Sequence, residues 1–339
     1  MLGTLRALSE ISGVSGDEGR VRQWLIQQLQ DLAPCRTDAL GNLIIEKKGQ
    51  QRPEKKLLFC AQMDEMGLVI RGADELGNLR FDTIGKIDAA ALAGKAVRVG
   101  EAGIPGVIGV KPVHLLEDEE RERFPKMESL TIDIGAKDEA QALSLVHPGE
   151  RAALFGSFSP FGEGLLRGRA LDARAGCALL CALIREPLPF DCTFAFTVLG
   201  ESGGAGAQTA AYACAPDFAI FAGAAAAGDF PNVPKKERAC ALRKGPVVPF
   251  SEGRTFYPQA LCRLAGQTAQ TLGIPLQQQE GHLSSAVPGA LQSAGKGIGV
   301  LPVLIPCRYA HTSLPVLCES DLENARKLLC ALAKELPAL

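Results

Sequence analysis

The chain is poor in aromatic residues. Phe, Trp and Tyr make up 5% of 339 residues, with a single Trp. So thin a supply excludes the stacking platforms on which single-stranded nucleic acids lie. Charge of one sign is lacking too. Lys and Arg number 36 against 38 Asp and Glu, a net charge of −2, which leaves no basic field for nucleic acid or an anionic membrane. No apolar run reaches the roughly 18 residues of a membrane span. Met1 to Ser15 has no basic segment, apolar stretch and small-residue cleavage site in succession, so a mature cytoplasmic domain is expected. Histidine is also scarce, at 4.

What is present suits a large buried core, with apolar residues at 47% and charged residues at 22%. The 11 cysteines are odd in number and scattered through apolar runs such as Leu58-Phe59-Cys60-Ala61. That pattern fits reduced, buried thiols rather than a disulfide framework. Cys177 and Cys181 stand one helical turn apart and have the spacing to share a metal. Alanine and leucine surround both, however, and cysteine in such company packs as a small hydrophobe.

Apolar residues at Val21, Leu25, Leu29 and Leu32 predict a helix over 20–32. After a turn at 38–42 and a short strand at 43–46, the run Leu57 to Ala61 predicts a central strand covered on both faces. From about 72 to 164, short strand-like pieces alternate with glycine turns, which predicts a small β-rich domain inserted into an α/β domain made of 1–71 and 165–339. Helix and strand then alternate: helices over 173–184, 206–212, 257–272 and 320–336, strands over 191–199, 218–222 and 299–305. Ser320 is the expected N-cap of the last helix.

Open α/β sheets bind ligands at strand ends, which singles out Asp172, Glu201 and His311. Asp172 stands just before a helix, Glu201 follows the apolar run 194–199, and His311 follows the strand ending near 305. Each has a plainer reading as well: a helix N-cap, a solvated loop carboxylate and a hydrogen-bonded surface histidine.

Longer motifs supply context. Gly106-Val107-Ile108-Gly109-Val110-Lys111-Pro112-Val113-His114, Ile132-Asp133-Ile134-Gly135-Ala136, Gly206 to Tyr212, and Arg308-Tyr309-Ala310-His311 resemble signatures of the glutamyl and deblocking aminopeptidases, two-metal peptidases that assemble into tetrahedral particles. The resemblance runs from about Leu8 to Leu332. It implies an aminopeptidase-type mixed sheet flanked by helices, with an inserted domain that carries homo-oligomerisation. It also implies peptide or amino-acid-derivative ligands and two zinc or cobalt ions bridged by an aspartate, with a glutamate as general base on the bridging water.

Carried over position by position, the resemblance implies a partly dismantled site. The bridging aspartate falls on Asp172, and the ligands of the second metal on Glu201 and His311. Asp64 matches a carboxylate that orients the first metal's histidine, but that histidine is Gln62 here. The first metal's aspartate falls on Gly223 and the general base on Gly200. One divalent ion (zinc, cobalt or manganese) held by Asp172, Glu201 and His311 is therefore expected, a second is not, and peptidase activity should be very weak or absent. The alternative is a non-catalytic paralogue serving assembly or peptide binding.

Other candidates are weaker. His282 lies near an eroded loop, where Ser284-Ser285-Ala286 stands in for a family motif, and has the residue type to replace a lost ligand. His114 reads as structural and His147, before Pro148-Gly149, as solvated. Gly200-Glu201-Ser202-Gly203-Gly204 loosely matches a nucleophile elbow, but no histidine and acid follow in a defensible order.

Overall fold

The computed structural model of the chain describes residues 1–253, 255–281 and 286–336. His282, Ser284 and Ser285 lie outside the described residues. Numbered along the chain, the first strands are β1 (Cys35–Thr37), β2 (Leu43–Lys47) and β3 (Leu57–Gln62). Next come β4 (Gly67–Ala73), β5 (Leu79–Ile84), β6 (Ala96–Val99), β7 (Ile104–Gly109), β8 (Thr131–Asp133) and β9 (Arg151–Leu154). The rest are β10 (Ser159–Pro160), β11 (Leu165–Arg167), β12 (Cys192–Thr197), β13 (Phe218–Ala226), β14 (Val247–Glu252), β15 (Thr255–Phe256), β16 (Gln277–Gly281), β17 (Gly299–Arg308) and β18 (Val316–Cys318).

All six residues of β3 are buried, as a continuous apolar run at the centre of a sheet requires. It lies in a sheet of 12 strands with the order β1-β2-β12-β3-β13-β17-β18-β11-β10, from which β14, β15 and β16 branch beside β17. β3 runs parallel to β12 and β13, and β13 parallel to β17. The outer pairs are antiparallel, so the sheet is mixed. Phe59 and Phe194, cross-strand neighbours, stack with ring centroids 5.1 Å apart.

The helix Leu171–Arg185 covers this sheet and buries 12 of its 15 residues. Its small residues have a cause: a Cβ on Gly176 would stand 2.1 Å from the Ala222 carbonyl oxygen, so the helix lies directly on β13. Cys177 and Cys181 on this helix are free and wholly buried, and burial pushes the Cys177 thiol up to about 12. The helices Gly19–Leu29, Ala205–Cys214, Gln259–Thr271 and Glu319–Glu335 accompany it. The last begins at Glu319 with Cys318 in the capping position and no side-chain cap, so Ser320 is not the N-cap. Glu319 and Asp321 in its first turn favour the positive end of the helix dipole instead.

The strands of the inserted unit close into a barrel, β4-β5-β8-β7-β6-β9, with its own core around Leu68, Ile70, Ile108 and Ile132. They span Gly67 to Leu154, offset from the 72–164 read from the sequence pattern. The offset arises because Gly67–Ala73, apolar in its first half like the strand before it, is already the first barrel strand. The fold is thus an α/β mixed sheet flanked by helices with a β-rich barrel inserted. Among the described residues, no helix is long and apolar enough to cross a membrane.

Candidate functional site

One cleft of about 350 Å³ opens at the ends of the parallel strands, lined among others by Gln62, Asp172, Gly200, Glu201, Gly223 and His311. Six of the seven positions mapped from the motifs, all but Asp64, thus reach one place, from β3, the start of the helix Leu171–Arg185, the loop after β12, β13 and the loop after β17. The backbone is left-handed beside Asp172 and Glu201 and at His311. Ala170, two residues before Asp172, has φ 53°; Leu199, two before Glu201, has φ 57°; Tyr309 and His311 have φ 56° and 61°. Left-handed backbone at residues other than glycine costs about 1–3 kcal/mol each and clusters at working sites.

The turn that carries Glu201 is held from three sides. Both carboxylate oxygens of the wholly buried Asp64 accept backbone N–H groups, from Gly200 and from Glu201, each at 2.8 Å. Glu18 accepts the Leu199 N–H at 3.0 Å, and the Asn42 side chain accepts from Val198 and donates to the Gly206 carbonyl. Asp64 therefore fixes the loop of Glu201. Burial pushes its carboxyl up to about 6, although the two N–H donors pull the other way.

Gln62 Nε2 donates to Glu201 Oε1 at 2.8 Å. Burial, and then the nearby Asp64 and Asp172 carboxylates, push the Glu201 carboxyl up to about 7. Asp172 Oδ2 accepts the backbone N–H of His311 at 2.9 Å, which ties the two ligand-bearing loops together. Gly200 is hemmed in: a Cβ there would stand 2.8 Å from Gln62 Oε1 and 2.9 Å from Asp64 Oδ1. At Gly223 a Cβ would meet the Phe221 ring at 2.7 Å.

These contacts test the donor set. At the positions the resemblance assigns to a first metal, Gln62 points its amide nitrogen at Glu201, Gly223 has no side-chain donor, and the Phe221 ring lies where its Cβ would be crowded. For one ion, Asp172, Glu201 and His311 have suitable chemistry and border one cleft. Among the described residues, however, no group of three or more His, Cys, Asp or Glu is gathered to hold a metal.

The remaining candidates fall elsewhere. His114 and His147 are exposed on the barrel unit. Ser202 Oγ lies 3.0 Å from Ser15 Oγ, a serine pair rather than a serine–histidine pair. Two ionisable cleft residues, Glu252 and Lys86, had not been singled out from the sequence. Glu252, at the end of β14, is only 4% exposed, and its Oε2 accepts a 2.5 Å hydrogen bond from Tyr257. Burial pushes this carboxyl up to about 7 against the pull of that hydrogen bond. Lys86 reaches the cleft from the barrel, after β5. Behind the site, Glu65 (4% exposed) accepts from Arg169, from the wholly buried Arg174 and from the Gly13 N–H, joining the strand end, the helix start and the N-terminal segment.

The M42 glutamyl aminopeptidase family matches residues 41–328. A solved TET aminopeptidase from Thaumarchaeota archaeon SCGC AB-539-E09 superposes with a TM-score of 0.93 at 29% identity, covering 99% of this chain and 96% of that one. The TET1 peptidase of Pyrococcus horikoshii, described as assembling into a tetrahedron or a large octahedral shell, gives 0.86 at 32% identity over 98% and 99%. The lysyl aminopeptidase of Pyrococcus furiosus is 29% identical over 347 residues, 98% of this chain and 96% of its own.

Proposed function

The chain belongs to the M42 glutamyl aminopeptidase family, and from that premise we propose that it is a cytoplasmic, aminopeptidase-type protein that binds amino-terminal peptide ligands and hydrolyses them very weakly or not at all. The observation that carries this reading is the closed arrangement of Gln62, Gly200, Phe221 and Gly223. A glutamine amide, a ring and two glycines occupy the positions from which two metal ligands and a base would act.

At most one divalent ion (zinc, cobalt or manganese) would be held, by Asp172, Glu201 and His311, Glu201 offering the oxygen that does not accept from Gln62. Such an ion, when bound, polarises a carbonyl group and lowers the pKa of a bound water. The chain's own residues do the rest. Asp172 and Asp64 hold the loops of His311 and Glu201 in register, and the carboxylates bordering the cleft receive the ligand's amino end. No carboxylate stands at position 200 to take a proton from water, and a positioned base contributes about 10²–10⁴-fold. Homo-oligomerisation through the barrel unit belongs to the same proposal, by analogy with the assemblies of the solved TET relative. A second reading, an ion-free paralogue that binds or assembles without catalysis, is favoured because no three His, Cys, Asp or Glu side chains are gathered to hold a metal among the described residues.

Calorimetric titration of chelator-treated protein with zinc and cobalt, alongside His311→Ala, tests the proposal. One site per subunit, lost in the variant, is expected, together with cleavage of aminoacyl-p-nitroanilides at least about 10²-fold below a dinuclear enzyme. Two sites would overturn the reading of Gln62 and Gly223. No binding would leave the ion-free paralogue.

A further inference from the structure

A second cavity, of about 450 Å³, opens at the other end of the sheet. It is bordered by Lys47 at the end of β2, Leu57 at the start of β3, and Cys192 and Thr193 at the start of β12. The acidic cleft lies beyond Gln62, at the far end of β3. At about 3.3 Å per residue, about 17 Å of strand separates the two. They share no lining residue.

The charge of this cavity runs against that of the chain, whose net charge is −2. Arg36, Lys47, Lys48, Arg52 and Lys56 border it, against the carboxylates Glu46 and Asp191. Lys48 Nζ pairs with Asp191 Oδ2 at 2.9 Å, which uses one of the two carboxylates. Among the described residues, the side chains of Arg36, Lys47, Arg52 and Lys56 are in no ion pair. Ala213 and Cys214, the last residues of the helix Ala205–Cys214, form another wall. A helix C-terminus carries about half a negative charge, which even with Glu46 falls short of four cations.

The backbone that carries these cations is fixed. Arg36 is paired with Ile44 in the ladder of β1 and β2, and Lys47 with Cys192 in that of β2 and β12. The loop after β2 lies on the segment before β12. Asp191 Oδ1 accepts the Gly49 N–H at 2.9 Å, and Gln50 and Gln51 donate to the Leu188 and Pro189 carbonyls. Asp217 Oδ2 accepts the Lys56 N–H at 2.8 Å. Like charges held in this way around one space repel until an anion joins them.

The lining also narrows the kind of anion. Among the described residues that border the cavity there is no aromatic ring, so a nucleobase finds no stacking platform. The planar forks of Arg36 and Arg52 match phosphate oxygens. A single phosphate would leave most of the charge unanswered, whereas a short chain of phosphates carries one negative charge or more per unit.

We propose that this cavity binds an oligophosphate chain, free or as part of a nucleotide, with Arg36, Arg52 and Lys56 donating to its oxygens and Lys47 adding to the field. The base of a nucleotide stays in solvent. The site is independent of the acidic cleft and of any ion held there.

Calorimetric titration of the full-length protein in EDTA, with sodium tripolyphosphate, orthophosphate, ATP and tri-L-glutamate as probes, tests this. One tripolyphosphate per subunit is expected, at least about 10-fold tighter than orthophosphate, as the added charge-assisted hydrogen bonds imply. ATP should bind about as tightly as tripolyphosphate. Arg52→Gln and Lys56→Gln, both at exposed positions, should each weaken tripolyphosphate by about 10-fold, the equivalent of one such bond. Arg263→Gln, exposed on the helix Gln259–Thr271, should leave it unchanged. No binding, equal affinity for orthophosphate, or an equal loss in all three variants would overturn the proposal. So would tighter binding of ATP, which requires a platform for the base, or tighter binding of tri-L-glutamate, which would make this a site for acidic peptide.

Discussion

Gly223→Ala adds a single methyl group, and the structure says what it meets. The new Cβ would lie 2.7 and 2.8 Å from two carbons of the Phe221 ring and 3.5 Å from Leu304 Cδ2. Phe221 and Gly223 are two apart on β13, hence on one face of the strand, and the ring folds over the glycine. The ring is 2% exposed and the glycine is buried, so relief requires the outer edge of the ring to turn toward the cleft that both residues border. Overpacking of this kind costs about 1–3 kcal/mol. For a chain somewhat longer than those for which about 2–4 °C per kcal/mol holds, that is a fall in Tm of about 2–6 °C. Phe221→Leu removes the clashing ring carbons at a cost of its own. If the ring is the obstacle, Gly223→Ala should cost at least about 0.5 kcal/mol less in the Phe221→Leu background. Urea unfolding of the four proteins closes the cycle. Additivity within about 0.3 kcal/mol would refute the claim that Phe221 fills the space beside position 223.

Two further outcomes follow from buried charge. Glu252 has a folded-state pKa of about 7 against an ordinary 4.5. Below the ordinary value it is protonated folded and unfolded alike, and stability is then lost as pH rises through about 7, to a limit of roughly 3 kcal/mol. Glu252→Gln should therefore raise the urea midpoint at pH 8 relative to the parent, with the gain shrinking toward pH 4.5; a gain independent of pH would exclude the titration. Glu65→Gln takes the single carboxylate from between two buried arginines and should cost about 3–5 kcal/mol in the same assay; a loss under 1 kcal/mol would mean the cluster is not a strut of the site.

Where local pattern is strong, the fold was legible. The apolar run at 57–61 predicted a buried central strand, and the helix expected over 173–184 lies within Leu171–Arg185. β4 was missed as a strand of its own because Gly67–Ala73 begins as apolar as the strand before it. The three positions read as retained and the three read as altered were mapped from motifs, and all six border the cleft. What filled the altered positions was not readable. The Gln62–Glu201 hydrogen bond joins residues 139 apart in the chain. Glu252 falls in Ser251-Glu252-Gly253, which reads as a turn. Only the branching of β14 beside β17 turns it toward the cleft, and only Tyr257, five residues on, explains how a carboxyl there is held.

The altered positions also depend on one another. Gln62 can donate to Glu201 because position 200 is glycine; any side chain there would meet the Gln62 amide and the Asp64 carboxylate that anchors the loop. Phe221 can lie over position 223 because that residue has no Cβ. Restoring one family residue alone therefore creates a clash before it creates a ligand, and rebuilding the site would require changes at 62, 200 and 223 together with Phe221. Nor are positions 62, 200 and 223 left as gaps among the described residues. Here they are packed and hydrogen-bonded, while Asp172, Glu201, Glu252 and His311 still face the same cleft. Under the function proposed above, that combination would leave an acidic cleft able to take a ligand without two ions.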